Sequence, residues 1–283
     1  MKKSLMIFTL GLAILLVLVF CSVKTGPEMV LVEGGTFMPH VDYVVTLSSY
    51  YIGKYPVTQA EYQDIMGSNP SHFTGDMKRP VEMVSWFDAI EYCNRLSIAE
   101  GLQPVYSYGE YGTDPDNWPV EWNSANENHN LVFWDRSAEG YRLPTDMEWR
   151  LAARGGIPAQ DAGSFEDKWA GTNDEEVLGD YIWYEANSGG RQNGTTHPVG
   201  MKLPNELGLY DMGGNVMNWC WDNFEGTVFP EGFYQDPTGP ERGEGRVSIG
   251  GSSFMYAEAC SIDSWHITEA TVKWSDLGFR IAR

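Results

Sequence analysis

Cysteine is scarce in this sequence. The 283 residues contain four cysteines, and one of them, Cys21, closes an apolar N-terminal segment. The other three, Cys93, Cys220 and Cys260, are too few for the disulfide framework that many exported domains use. Cys93 lies in a helical pattern and Cys220 in a tryptophan-rich one. We therefore expect both to be buried small hydrophobic residues rather than reactive thiols.

Positive charge is also scarce. Lysine and arginine number 19 against 39 acidic residues, which gives a formal net charge of -20. Such a surface repels phosphate backbones, so we expect no nucleic-acid partner. The same charge would suit a cationic ligand or divalent metals, and solubility alone is the simpler explanation.

Familiar catalytic motifs are absent. The five histidines show no H-E-x-x-H spacing, and the sequence has no C-x-x-C, no G-x-S-x-G and no phosphate loop. No carboxylate pair can be assigned as acid and base without geometry. The hydrophobic content of 42% is nevertheless enough for a real core. Without a linker or an internal repeat, residues 28–283 are predicted to form one domain.

The N-terminus carries a targeting signal. Two lysines precede an apolar run, Leu5–Phe20, which is short for a spanning helix. This segment resembles a bacterial lipoprotein signal, although Phe20 departs from the small residue expected before the cysteine. We expect a signal peptide at 1–20 and a lipidated Cys21 with a tether at 21–27, which would attach the protein to the outer membrane at the cell surface. The alternative is a plain N-terminal membrane anchor.

Local patterns predict an α+β layout. Residues 29–38 are predicted to form a strand, a Gly-Gly turn and the start of a second strand, and residues 45–53 another strand. Helix starts are predicted at Thr58, Ser85 and Thr145, where the first and third open capping boxes. The second half of the chain shows short apolar runs among glycine, proline and asparagine, and no good helix is predicted after about residue 156.

Seven strings carry a family resemblance. In order they are MVLVEGGTFM, YYIGKYPVTQAEY, PVEMVSWFDAIEYCNRLS, GYRLPTDMEWRLAARGG, THPVGMKLPNELGLYDMGGNVMNW, RVSIGGS and LGFRIAR. Over residues 28–283 the chain resembles the formylglycine-generating enzyme (sulfatase-modifying factor) family. The resemblance implies a variant of the C-type lectin fold, with a small twisted antiparallel sheet, two to three helices and much irregular chain.

The string GLYDMGGNVMNW matches a calcium-binding stretch of these enzymes. The resemblance implies that Asp211 and Asn218, with the carbonyls of Gly214 and Val216, hold a structural calcium ion. Carboxylate, amide and carbonyl oxygens are ligands that calcium prefers. The enzymes usually have glutamate at the position of Asn218, so one charge is lost here. The alternative is a hydrogen-bonded turn without metal.

The copper site of the enzymes is incomplete in this sequence. The family oxidises a substrate cysteine with copper and oxygen, using two cysteines that follow the GGS string. The matching positions are Met255 and Cys260, and a single thiolate cannot reproduce the soft two-thiolate site that copper(I) needs. We therefore expect no copper and no catalysis, with Cys260 in the core. The alternative is a copper-dependent formylglycine-generating oxygenase or another enzyme of the family.

In the C-terminal region, about residues 246–276, positions that differ from the family pattern lie between positions that keep it. We call the preserved positions the frame: Gly250, Gly251, Ser252, Ala257, Cys260, Leu277, Gly278, Phe279 and Arg280. It resembles the variable region of proteins that a diversity-generating retroelement rewrites by adenine-directed mutagenesis. In such proteins a lectin-type fold is a rigid platform for a changing binding patch. The alternative is drift in a degenerate family member.

The candidate ligand-binding patch contains aromatic anchors and polar partners, and aromatic side chains dominate many interfaces. We expect its residues to be mostly exposed on one face of a monomer and to bind an unidentified ligand, a protein or a glycan. Trp274 is the aromatic residue most open to a core-packing alternative. The candidates are Ser253, Phe254, Met255, Tyr256, Glu258, Ile262, Ser264, Trp265, His266, Thr268, Glu269, Lys273 and Trp274.

Overall fold

The computed structural model describes residues 26–224 and 231–283. The predicted signal peptide and the lipidation of Cys21 lie outside these residues, as does most of the tether. Within the described part, no helix has both the length and the apolar content needed to cross a bilayer.

The strands of the described residues form four small sheets. The strands are β1 Met29–Val32, β2 Gly35–His40, β3 Tyr43–Leu47, β4 Tyr50–Gly53, β5 Tyr106–Tyr108, β6 Val132–Trp134, β7 Met217–Phe224, β8 Gly232–Gln235, β9 Gly245–Ile249, β10 Trp265–Thr268 and β11 Leu277–Phe279. Two sheets are the pairs β1–β4 and β5–β6, and the others are a three-stranded sheet β2-β3-β8 and a four-stranded sheet β10-β9-β7-β11.

Three helices begin at complete capping boxes. In each, the side chain of the N-cap residue accepts from the third backbone N–H, and the third residue's carboxylate accepts from the N-cap backbone. The predicted starts at Thr58, Ser85 and Thr145 are confirmed. The helices are α1 Gln59–Met66, α2 Trp86–Ala99, α3 Asp146–Ala153, α4 Gly156–Ala162, α5 Leu178–Tyr181 and α6 Gly190–Asn193.

Two predictions about element boundaries were wrong. The expected strand at 45–53 is interrupted by two exposed serines and forms β3 and β4. A further helix, α4, follows α3 at once, although none was expected there. Gly155 and Gly156 have φ of 81° and 56°, which turns the chain between the two helices. Pro158 lies in the first turn of α4, where its missing N–H costs no hydrogen bond.

The core lies between α2, α3 and the four-stranded sheet. Trp86 and Trp219 are fully buried, and their indole N–H groups donate to backbone carbonyls. Cys93 and Cys220 are buried in the two main apolar clusters, and burial raises the pKa of both thiols. Both cysteines are therefore core residues, as predicted, and the α+β architecture is confirmed.

The C-terminus is incorporated into the fold. β11 pairs in parallel with β7, so that Phe279 lies beside Trp219. Beyond β11, Arg283 exchanges backbone hydrogen bonds of 2.8 Å with Tyr51 in β4. The 246–276 region is thus held by β9 at one end and by the C-terminal residues at the other.

Candidate functional site

A glycine turn opens the candidate surface after β9. Gly250 and Gly251 have φ of 93° and 64°, a region that favours glycine. A Cβ at Gly251 would lie 2.4 Å from the Ala259 carbonyl oxygen and 2.8 Å from Cys260 Sγ. The turn therefore needs glycine for backbone conformation and for space.

Two contacts tie the start of the segment to its other parts. Ser252 Oγ donates to Asp276 Oδ2 at 2.7 Å, which joins residues 24 positions apart. Cys260 Sγ donates to the Ser252 carbonyl at 3.6 Å. Both contacts join distant parts of the same segment, so buried groups fix the course of its backbone.

The middle of the segment is bound to helix α3 by charge. Asp263 accepts from Arg150 Nη1 at 2.9 Å and from Arg154 Nη2 at 3.0 Å. Both guanidinium groups are buried, whereas the Asp263 carboxylate is more than half exposed. Asp263 is acidic and exposed, as a ligand contact would be, but its contacts assign it to the frame.

The hairpin of β9 and β10 presents two different faces. On β10, Trp265 and Ile267 are 36% and 45% exposed. The alternate residues His266 and Thr268 point inward, and the Thr268 hydroxyl lies 3.0 Å from that of Ser248. Ile267 is an exposed residue that the candidate list missed, and the alternation in the four residues of β10 is the signal that could have found it.

The expectation of exposure was wrong for three candidates. Ser253, Ile262 and Thr268 are buried. The Ser253 N–H donates to the Asn215 carbonyl at 3.1 Å, which draws its side chain inside. Ile262 belongs to an apolar core cluster, and its N–H donates to Lys168. All three belong to the frame.

The other candidates reach the surface to different degrees. Tyr256 and Trp274 are 48% and 46% exposed, so the core-packing alternative for Trp274 is excluded. The remaining exposed candidates are Glu258, Trp265, Glu269 and Lys273, and the half-buried ones are Phe254, Met255, Ser264 and His266.

Aromatic contacts extend the candidate surface beyond residues 246–276. Phe254 packs on Phe73 with ring centroids 5.9 Å apart, and the Arg191 guanidinium lies 5.9 Å from the Tyr256 ring. Trp265 instead packs on Phe224, at 5.0 Å. The structure therefore groups Phe254 and Tyr256 with residues of other loops, and Trp265 with the end of β7.

The positions of the copper cysteines hold no thiolate pair. Cys260 is 1% exposed, and burial raises the pKa of its thiol to about 12. The thiol is therefore protonated at neutral pH, whereas copper(I) binds thiolates. Met255 packs against apolar clusters. In the described residues, no group of three or more histidine, cysteine, aspartate or glutamate side chains is arranged to hold a metal ion.

The candidate calcium residues are engaged with one another. The Asn218 side-chain N–H donates to the Val216 carbonyl at 2.9 Å, and its oxygen accepts from Trp149 Nε1 at 3.4 Å. Gly214 has φ of 73° and donates its N–H to the Gly250 carbonyl. An amide N–H therefore lies on the Val216 oxygen that a cation would use.

Asp211 is similarly engaged. Its carboxylate accepts from the Gly200 N–H at 2.8 Å and from Asn215 Nδ2 at 3.2 Å, and its backbone carbonyl accepts from Arg280 Nη2 at 3.2 Å. Burial raises the pKa of Asp211 and lowers that of Arg280 to about 9. As arranged, these residues do not fit a calcium ion, and calcium binding by them stays a prediction.

The chain is similar to known proteins over most of its length. The chain has a TM-score of 0.79 and 39% identity to Treponema denticola variable protein 1, over 90% of this chain and 94% of that one. It is 40% identical to the chaperone protein LppX of Paenibacillus barcinonensis over 271 residues, 90% of this chain and 89% of that protein.

An enzyme of the resembled family also matches. A formylglycine-generating enzyme of Thermomonospora curvata is 34% identical over 160 residues, which is 53% of this chain and 49% of that enzyme. The family model described as the sulfatase-modifying factor enzyme 1-like domain matches residues 19–283. The resemblance inferred from the seven strings is confirmed, and with it the fold type. The chain therefore belongs to the sulfatase-modifying factor enzyme 1-like family.

Proposed function

We propose that this protein is a non-catalytic surface protein that binds a ligand through exposed residues of its C-terminal segment. One observation carries the proposal: within residues 246–276, glycines, buried hydroxyls and Asp263 hold the fold, while Tyr256, Trp265 and Trp274 remain exposed. Aromatic side chains on a rigid support lose little conformational entropy on binding, so they are effective anchors.

The proposal excludes the family's oxygenase chemistry for this chain. It is supported by Met255 at one copper position and by the buried, protonated thiol of Cys260 at the other. Purified protein should bind copper(I) far more weakly than an enzyme with two cysteines and should leave a cysteine-containing sulfatase peptide unconverted. Turnover above that of a Cys260→Ala variant would contradict it.

Diversification of the segment by a retroelement is part of the proposal. It is supported by the similarity to a Treponema variable protein and by the division of the segment into frame and surface. The gene should lie near a reverse transcriptase gene and a near-copy of its last codons, with adenines where the two copies differ. Genomic DNA without such a copy would favour drift.

The proposed location is the outer surface of a bacterial membrane, with lipid on Cys21. The support is the sequence of the N-terminal segment. One acyl chain gives marginal anchoring, so firm attachment needs the several chains that lipoproteins receive. Mass spectrometry of protein from the membrane fraction should find a modified Cys21 at the N-terminus, and an unmodified cysteine would contradict this location.

Binding is tested on arrays of glycans and of extracellular proteins. A variant with Tyr256→Ala, Trp265→Ala and Trp274→Ala is compared with a control with Val120→Ala, Leu131→Ala and Phe133→Ala, exposed apolar residues outside the segment. A ligand that binds saturably to the wild type should bind at least about tenfold more weakly to the first variant only, since anchors dominate binding. Equal losses in both variants would contradict the proposal.

A further inference from the structure

Two carboxylates lie beneath the candidate surface. Glu82 is fully buried; its Oε1 accepts from the Phe73 N–H at 2.7 Å, while Oε2 has no hydrogen-bond partner. Asp276 is half-buried and accepts from Ser252 Oγ. Glu82 is connected to the aromatic residues of the C-terminal segment through Phe73, which packs on Phe254.

These carboxylates lack a cationic partner of their own. Among the described residues, no lysine or arginine side chain forms an ion pair with Glu82 or Asp276. Burial raises the pKa of both carboxyl groups, and the charge of Asp276 raises that of Glu82 further. The titratable groups that lower these pKa values are His72, which acts on Glu82, and His266, which acts on Asp276. A buried negative charge without a cation is costly, so this arrangement needs a reason.

Two further polar atoms in this part of the molecule are buried without a partner. Ser253 Oγ belongs to a fully buried residue next to Ser252, and His266 Nε2 is likewise unpartnered. Native proteins leave few such groups, and each calls for a water, an ion or a ligand. His266 acts electrostatically on Asp276, and Ser253 follows the serine that donates to Asp276, so both atoms belong to the surroundings of that carboxylate.

Aromatic groups complete the surroundings. Phe73 and Phe254 are half-buried, and Trp274, two residues before Asp276, is exposed. The Trp274 carbonyl accepts from the N–H of Met83, the residue after Glu82, at 3.0 Å. A cation is favoured both by nearby carboxylates and by the faces of aromatic rings.

We propose that Asp276, supported by the charge of Glu82 behind it, binds a cationic side chain of the ligand, a guanidinium or an ammonium group. This inference rests on the proposed function and names the chemistry of its ligand. Asp276 makes the direct contact because it is half-buried, whereas the fully buried Glu82 adds negative potential in its ionised form, which a bound cation favours. The net charge of -20 favours the approach of a cationic partner.

The inference separates two roles within one surface. Asp276 is held by Ser252 in the frame, and Glu82 lies outside the 246–276 region altogether. The cation site would therefore persist while the exposed aromatic positions change. The class of ligand would stay cationic, and the changing residues would select among its members.

The test uses small probes on the full chain. Isothermal titration compares n-butylguanidinium and n-butylammonium with the neutral isostere n-butylurea. At least one cation should bind saturably, in about the millimolar range expected for so small a ligand, and n-butylurea should not. The cation that binds identifies whether a guanidinium or an ammonium is preferred.

Matched variants assign the site. Asp276→Asn should weaken cation binding at least about tenfold and Glu82→Gln about threefold, since each removes one charge at nearly constant shape. Glu269→Gln, which removes an exposed tail charge, should change binding less than about twofold. Thermal unfolding checks that each variant is folded. If one of Asp276→Asn and Glu82→Gln does not fold, the binding measured with the other still tests the inference.

Three outcomes would overturn the inference: no saturable cation binding, equal binding of n-butylurea, or equal weakening by Glu269→Gln. Its failure is distinguishable from failure of the proposed function. An array ligand that is lost in the triple alanine variant but unaffected by Asp276→Asn would leave the binding surface standing and contradict the cation site.

Discussion

The two faces of the β9–β10 hairpin differ in what each residue contacts. On the inner face, Arg246 is fully buried between the rings of Trp86 and Trp221, at 3.8 and 4.8 Å. On the outer face, Trp265 and Ile267 reach solvent from β10. One hairpin therefore contributes both to core packing and to the exposed surface, since alternation along a strand places neighbouring side chains on opposite faces.

The largest expected effect comes from the frame. Gly251→Ala should lower the free energy of unfolding by about 4 kcal/mol, because it adds both a positive-φ strain and a clash with the Ala259 carbonyl. Gly75→Ala is the matched control, with φ of 109° and nothing within 4 Å of the added Cβ. It should cost about 1 kcal/mol. Urea unfolding measures both, and equal costs would contradict the role of the close contact.

The inner face should also make the protein sensitive to acid. Arg246 Nε donates to His129 Nδ1 at 2.9 Å, which requires neutral imidazole, and burial lowers the pKa of His129 to about 4. Because the unfolded pKa is about 6.5, this contribution is present above that pH and is lost as the pH falls toward 4, by about 2 kcal/mol.

His129→Gln checks this sensitivity, because glutamine offers an acceptor that does not titrate. Urea unfolding at pH 7 and pH 4.5 should show a smaller loss in the variant than in the wild type. Buried carboxylates such as Asp222, whose pKa burial raises, favour the folded state on acidification and so act in the opposite direction. The difference in pH dependence between the wild type and the variant measures the contribution of His129. Identical pH dependence of the two free energies of unfolding would contradict that contribution.

Asp263 tests whether an exposed residue of the segment can belong to the frame. Asp263→Asn should cost about 1.5 kcal/mol, because it leaves the buried guanidiniums of Arg150 and Arg154 with less countercharge. Glu258→Gln is the control, since its ion pair with Lys168 is exposed, and it should cost less than about 0.5 kcal/mol. Chemical denaturation distinguishes the two. If Asp263→Asn leaves the free energy of unfolding unchanged, Asp263 belongs to the ligand surface and not to the frame.

The calcium loop is expected to give a small effect. Since Asn218 and Arg280 occupy the carbonyls of Val216 and Asp211, chelation should lower the melting temperature of the wild type by less than about 1 °C. Asn218→Glu restores the family's charge and should make the melting temperature calcium-dependent. A large shift on chelation of the wild type, with metal removal confirmed, would show that the loop does bind calcium.

The smallest effects are expected on the outer face. Tyr256→Ser and Ile267→Ser should each change the free energy of unfolding by no more than about 0.5 kcal/mol, as exposed substitutions usually do. Ile262→Ser, at a buried position of the same segment, should cost about 3 kcal/mol. If the outer substitutions destabilise as much as the inner one, the segment is ordinary core and its surface role is contradicted.

Sequence patterns predicted those features that depend on a few adjacent residues. The capping boxes at Thr58 and Thr145 were found because a helix start is encoded within four positions. The burial of Ser253 and Ile262 was missed because it depends on Asn215 and Lys168, which are distant in the chain. Likewise, no local pattern could show that Glu82 would lie beside Asp276.

The attachment of the last residues has a consequence for biosynthesis. Leu277, Phe279 and Ile281 belong to the main apolar core, and Arg283 pairs with Tyr51 in β4. The core therefore cannot close until residues 277–283 have been translated and have left the ribosome. A chain that stops before residue 277 would leave one edge of β7 unpaired and expose apolar surface. Synthesis through these residues thus becomes a condition for folding, and products truncated before them would be open to proteolysis.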